Sequence, residues 1–276
     1  MTEKTYSGLS APPSRAWLKE FGKSAVDLLF PPRCVACQSL GAWLCEDCLE
    51  DIVVILPPAS THPVCTHCGL PLDGRVPPRG RPPQRTVLVC SRCYTDPPRL
   101  DGLWAYAVHS GPLRDAIRHF KYRDVRVLAA PLGKLMAQGW AVLPPADVVP
   151  DAIVPVPLHA SRERERGFNQ AALLALELGR RVGLPVVEDV LVRTRETIPQ
   201  VGLDATERRA NVLHAFQCSS TGLTGRRVLL VDDVCTSGAT LEAASDALRE
   251  GGVSSVWAYT LARARGASGP VKGRSI

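Results

Sequence analysis

The chain has 276 residues, 45% of them hydrophobic, and a formal net charge of +6. That is enough for one large domain or two smaller ones with a real apolar core, and no apolar run approaches the roughly 20 residues that would cross a bilayer. The mild basicity suits a nucleic acid or a polyphosphate but decides for neither, since a solvated basic surface accounts for it equally.

The opening residues, "MTEKTYSGLSAPPSRAW", hold no apolar leader core, so the expectation is a cytoplasmic chain without membrane insertion. Residues 14–29 place Trp17, Leu18, Phe21, Ala25, Leu28 and Leu29 at helical spacing, between Ser14 as a cap and Pro31-Pro32 as a stop. This gives an N-terminal helix and lead-in over 1–33.

The next segment, 34–93, carries eight of the ten cysteines as four CxxC pairs: Cys34/Cys37, Cys45/Cys48, Cys65/Cys68 and Cys90/Cys93. A reducing cytosol argues against disulfides, whereas two such pairs complete a tetrahedral four-thiolate site. Four pairs therefore predict two structural zinc ions. The spacing also admits iron–sulfur, but the tight cysteine runs of ferredoxins are absent. Sequential ligation puts Cys34, Cys37, Cys45 and Cys48 on one ion and Cys65, Cys68, Cys90 and Cys93 on the other; interleaved ligation stays open. His62 and His67 are read as surface residues, and the lone Cys218 and Cys235 as small buried hydrophobes. Between the third and fourth pairs, Gly74–Arg85 is a basic, proline-rich loop with no apolar period.

From 94 to 265 the pattern changes to strands alternating with helices. "GLWAYAVHS", "DAIVPVP", "RRVLLVDD" and "VSSVWAYTLAR" read as strands; "PLRDAIRHFKYR", "FNQAALLALELGRRVG" and "LEAASDALREGG" read as helices. Pro112 sits in a first turn, and Gly183 follows a helix end. This is the signature of an α/β fold with a mostly parallel sheet flanked by helices. Residues 266–276, rich in Gly, Ser, Lys and Arg, read as a flexible tail.

One stretch asks for a ligand. In "VLLVDDVCTSGAT" (Val228–Thr240) two carboxylates stand side by side at the end of a buried strand. Packing gives no reason for this, because adjacent acids repel and lose hydration. The loop that follows supplies backbone N–H groups, the hydroxyls of Thr236, Ser237 and Thr240, and a helix start. Gly238 allows close backbone approach. A ribose 5-phosphate, with paired hydroxyls and one phosphate, fits that layout. A Walker B-like strand is the rival reading, but the chain has no GxxxxGK[ST] loop.

These thirteen residues resemble the 5-phosphoribosyl-1-pyrophosphate (PRPP) signature of the type I phosphoribosyltransferases. "GPLRDAIRHFKYRD", "PVPLHASRERERGFNQA" and "RTRETIPQVGLDATERRANVLHAF", with the order of parts, narrow the resemblance to the ComF family of competence-associated proteins. It covers the chain from about Asp27 to Arg263. The fold implied is a type I phosphoribosyltransferase domain preceded by a small double zinc-ribbon-like module. The resemblance implies that Asp232 and Asp233 are the catalytic acidic pair holding the ribose hydroxyls. It implies that Thr236, Ser237, Gly238, Ala239 and Thr240 hold the 5′-phosphate, and that Val156 and Pro157 lie in the pyrophosphate loop. Lys121, Arg162, Arg164, Arg166, Arg195 and Arg208 are candidate pyrophosphate contacts in this reading, although the alternating charges of "RERER" also suit an exposed helix or turn. Arg195, Gln200, Arg208 and Asn211 fall in a loop that closes over the ligand, with Mg²⁺ entering on PRPP.

The resemblance carries a link to DNA uptake in natural transformation, with single-stranded DNA and a competence helicase as the implied partners. Two classes of function follow. One is a working phosphoribosyltransferase in nucleotide metabolism whose acceptor is unidentified. The other is a non-catalytic accessory factor that binds nucleic acid or docks a helicase; the chain lacks the aromatic platform of a single-strand binder. The oligomeric state is not readable from the sequence.

Overall fold

The computed structural model describes residues 31–55, 64, 65, 67–70, 72, 87–122, 125–142, 148–196, 205–219, 222–264 and 272–274. The expected helix at 14–29, the basic loop at 74–85, His62 and Gln200 lie outside them. Of the expected tail, Lys272–Arg274 pairs antiparallel with Val87–Val89.

The centre is a four-stranded, all-parallel sheet. Its strands are β2 (Gly102–Val108), β7 (Ser255–Arg263), β6 (Arg227–Cys235) and β3 (Ala152–Pro155), lying side by side in that order; β1 is Val87–Val89. The middles of the strands are apolar because helices cover both faces. Leu229 and Val231 face one core, formed with α3 (Gly111–Tyr122), α4 (Ala129–Trp140) and α6 (Gln170–Val182). Val228 and Leu230 face the other, formed with α8 (Ala239–Glu250). Neighbouring residues of β6 thus point into different cores, as strand geometry requires.

The remaining helices are α1 (Glu46–Glu50), α2 (Ser91–Thr95), α5 (Ala160–Arg166) and α7 (Ala205–Val212). A small antiparallel pair, β4 (Leu191–Arg193) with β5 (Phe216–Cys218), brackets α7. Helix α4 was not legible as a helix, because Pro131, Gly133 and Gly139 interrupt its pattern. Tertiary packing overrides them: a Cβ at Gly133 would meet Glu177 Cβ at 2.3 Å, so the glycine lets α4 press against α6.

Two connections leave the sheet in opposite directions. From β3 the chain runs through α6 and returns beside Ile153 at Val186, on the outer side. From β6 it runs through α8 and returns as β7, on the inner side. The crossovers therefore diverge between β3 and β6. In an open α/β sheet, that divergence opens a crevice beyond the strand carboxyl ends, where ligands bind.

The cysteine-rich segment is built onto the sheet. Its two halves repeat one plan. Each first CxxC is a tight turn whose next residue is left-handed, Gln38 (φ 66) or Gly69 (φ 63). Each second CxxC begins a short helix, with Cys45 capping α1 and Cys90 capping α2. Cys34, Val35, Leu44, Cys48 and Ile52 join the core on the α3 face, and Cys65, Cys68, Leu72, Val89, Cys90 and Cys93 join the core on the α8 face. Between them the chain adds Val53–Ile55 antiparallel to β2, with Ile55 N–H donating to the Tyr106 carbonyl at 2.8 Å. That covers an otherwise open sheet edge.

Candidate functional site

Asp232 and Asp233 lie near the carboxyl end of β6, beside the divergence point. The strand runs past them to Cys235, because Asp232 and Val234 still pair with Thr260 and Ala262 of β7. The Asp232 carboxylate accepts the Asp233 N–H at 2.8 Å. Burial, then the Asp233 charge, pushes the Asp232 carboxyl up to about 7, with Lys121 working against the shift. Asp233 is only 2% exposed. Gly238 takes φ 87 at the N-cap of α8, whose first-turn N–H groups have no intrahelical partner; Ala239 N–H donates to Ser237 Oγ at 3.4 Å. Ser237, Gly238 and Ala239 are buried; Thr236 and Thr240 are half-buried.

The segment after β3 forms the other wall. Val156 N–H continues the ladder to the Val231 carbonyl at 2.9 Å, and Asn169 Nδ2 donates to the Val156 carbonyl at 3.1 Å. Asn169 also caps α6, its Oδ1 accepting from Ala171 N–H at 3.0 Å. The motif "GFNQ" therefore has a local reason. Gly167 closes α5 in the left-handed region (φ 80), and Asn169 starts the next helix while holding the crevice wall. Pro157 is half-buried in that wall. Beyond it His159 caps α5 through Ser161, whose hydroxyl donates to Glu196 at 2.9 Å.

The cations divide into those inside the crevice and those outside. Lys121, in the last turn of α3, places Nζ 2.7 Å from Asp233 Oδ2. Burial opposes its charge, but the carboxylates of Asp233 and Asp232 outweigh burial and hold the ammonium above its ordinary value. The structure thus shows Lys121 neutralising the acidic pair. Arg193, at the end of β4, bridges to His159 and stacks over Phe216, 5.3 Å from the ring centroid. Burial lowers its pKa, with Asp232 opposing and Arg162 adding to the shift, so it belongs to the same electrostatic neighbourhood. His109, just past β2, has its imidazole pKa held down by burial and Lys121, against Asp233.

Outside the crevice, Arg164 is exposed on α5; Arg166 bonds Gln170 and lies over Tyr122. Arg195 donates to the carbonyls of Asn211 at 2.9 Å and Leu213 at 2.8 Å, closing the end of α7. The expected closing loop is therefore partly helical, with Arg208 and Asn211 both on α7. His109 is a residue of this neighbourhood that sequence reasoning missed, its only signal being its position just past an apolar strand; Arg193 already opens the segment that resembles the closing loop.

The eight cysteines form two groups, Cys34/Cys37/Cys45/Cys48 and Cys65/Cys68/Cys90/Cys93, with the ligand atoms of each within 4.8 Å of one another. Sulfurs at about 2.3 Å from a tetrahedral zinc stand about 3.8 Å apart. Cys68 and Cys90 Sγ are 3.8 Å apart, and Cys37 and Cys45 Sγ 3.5 Å. Both groups fit zinc, in the sequential assignment.

This combination defines a phosphoribosyltransferase-type domain carrying a double zinc ribbon. A phosphoribosyl transferase domain model matches residues 164–274 and a double zinc ribbon domain model matches 25–94. The chain is 32% identical to Competence protein F of Haemophilus influenzae, covering 84% of this chain and 97% of that one. It is 30% identical to the DNA utilization protein YhgH of Escherichia coli K12 (86% and 99% covered) and 30% identical to Competence protein ComFC of Bacillus subtilis (83% and 94% covered). The chain belongs to the ComF family of competence-associated proteins. Among the described residues no helix is long and apolar enough to cross a membrane.

Proposed function

We propose that the crevice between β3 and β6 binds PRPP or a related ribose 5-phosphate. One observation carries this reading: the acidic pair and the loop 236–240 stand at the point where the sheet connections diverge, with residues 156–161 opposite. Asp232 and Asp233 accept the ribose hydroxyls. The hydroxyls of Thr236, Ser237 and Thr240 and the start of α8 hold the 5′-phosphate. Arg193, which feels Asp232, is the cation proposed for a pyrophosphate, ahead of the exposed Arg164 and of Arg166, which is engaged with Gln170 and Tyr122. Mg²⁺ would arrive on the pyrophosphate oxygens, since it keeps most of its waters and needs few protein ligands.

Phosphoribosyl transfer needs charge stabilisation and water exclusion but no protein nucleophile, so binding is proposed ahead of turnover. The names of the relatives, which refer to competence and DNA utilization, support a role for such binding in handling incoming DNA.

Thermal melts test the reading. PRPP with Mg²⁺ is expected to raise the melting temperature of the wild type, and Asp232→Asn to remove the rise. Equal shifts in both proteins would refute it. Pyrophosphate release across a panel of nucleobases and amines then tells a transferase from a binding protein.

A further inference from the structure

The loop 236–240 does not stand on β6 and α8 alone; two arginines tie it to the second four-cysteine cluster. Arg263 ends β7 and is 2% exposed. Its Nε donates to the Cys68 carbonyl at 3.1 Å, while Nη1 donates to the carbonyls of Cys235, at 2.9 Å, and Thr236. One guanidinium therefore clamps the entry of the phosphate loop to a cysteine of the cluster.

Arg92 forms the second tie. It lies between Cys90 and Cys93, and its Nη2 is 2.8 Å from Oε1 of Glu242, a 4%-exposed acid in the first turn of α8. The pair lies beneath Gly238: a Cβ there would stand 3.6 Å from Glu242 Oε1 and 3.9 Å from Arg92 Nη1.

Charge supports the same arrangement. Among the described residues, the hydrogen bonds of Arg263 all go to neutral carbonyls. A buried cation needs a counter-charge. Four thiolates around one Zn²⁺ keep a net negative charge, and Cys68 brings that cluster against the guanidinium. Among the described residues, no such tie joins the first cluster to the loop; its residues pack against the α3 core.

We propose that the second cluster, through Arg263 and Arg92, is a structural support of the phosphate loop. Losing the metal there unpins Cys68, Cys90 and Cys93, and with them both arginines, so the loop loses its shape. Losing the metal at the first cluster leaves the loop as it is. Arg263 is then a positioning residue. The loop-order half of this proposal stands by itself, while the consequence for affinity rests on the ribose-phosphate reading.

The test is hydrogen exchange on the full chain, followed by mass spectrometry, alongside zinc content. Arg263→Lys should keep the wild-type zinc content yet exchange at least about tenfold faster over residues 235–242. Cys93→Ser should do the same with one zinc lost. Cys37→Ser should lose one zinc and leave 235–242 unchanged, with faster exchange at 34–50. If Cys93→Ser does not fold, Arg263→Lys and Cys37→Ser carry the test. Unchanged exchange at 235–242 in Arg263→Lys, or equal loosening of that loop by Cys37→Ser, would overturn the proposal.

A second arm titrates ribose 5-phosphate into the same proteins. If wild type binds, Arg263→Lys should bind at least about tenfold more weakly, and undiminished affinity would overturn the affinity half. If wild type does not bind, the ligand reading fails, and the exchange result still decides the loop-order half.

Discussion

The two cysteine clusters share a ligand set and a turn, yet they differ in what they hold. The first packs against the α3 core and leaves Cys37 exposed. All four cysteines of the second are buried, and its backbone and neighbouring Arg92 reach the residues around the loop 236–240. The same ligand set thus sits at a sheet edge in one place and against the loop 236–240 in another. What separates them is the residues around the thiolates.

The largest expected effect comes from removing the ions one at a time. A chromophoric chelator should draw zinc in two phases, the first from the cluster with exposed Cys37 and the slower from the buried one. A structural zinc contributes folding free energy to the module that it holds, so the first phase should loosen residues 34–50 and the second the loop 236–240. Single-phase release would break the comparison.

Lys121 sharpens it from the other side, because α3 belongs to the face that the first cluster braces. Lys121→Met leaves the buried Asp233 carboxylate without its 2.7 Å partner. Breaking such a pair costs about 3–5 kcal/mol, measurable by denaturant unfolding. The same pairing makes Asp233→Ala a poor probe of binding, since it strands the ammonium; Asp232→Asn is the cleaner change.

A smaller effect is expected at Gly238. A Cβ there meets only ordinary contacts, so Gly238→Ala pays for its φ of 87 rather than for a clash. The expected loss is about 1–2 kcal/mol, with weaker phosphate binding and an intact zinc content. The pH dependence gives a further test. The Asp232 carboxyl is raised in the folded state to about 7 from a reference of 3.8. The folded protein therefore binds this proton more tightly than the unfolded chain does, and the contribution lowers stability as pH rises from about 4 to 7. Asp232→Asn should flatten that slope in chemical denaturation, whereas a slope identical to wild type would remove Asp232 as its source.

Much of this was legible in the sequence because it was written locally. The apolar runs before Asp232 and before Val156 marked buried parallel strands, the CxxC spacing marked the thiolate sites, and Gly183 marked a helix end. Sequential ligation needed the fold, as did the packing of each cluster on its own face of the sheet. Nothing local marks Arg263 or Arg92: Arg263 meets Cys68 and Arg92 meets Glu242 only in the fold, and the pairing of Lys121 with Asp233 is likewise not written in the sequence. Each depends on contacts across more than a hundred residues. The three-residue strands β4 and β5 are too short to show a period.

The central claim is that Asp232, Asp233 and the loop 236–240 hold a ribose 5-phosphate. Calorimetric titration of ribose 5-phosphate into the zinc-loaded wild type and Asp232→Asn tests it most directly. The account predicts one site per chain in the wild type. In the variant, losing a charge-assisted hydrogen bond worth about 1.5–3 kcal/mol should weaken binding by about ten- to more than a hundredfold. No heat of binding in the wild type, or equal affinity in the two proteins, would contradict it.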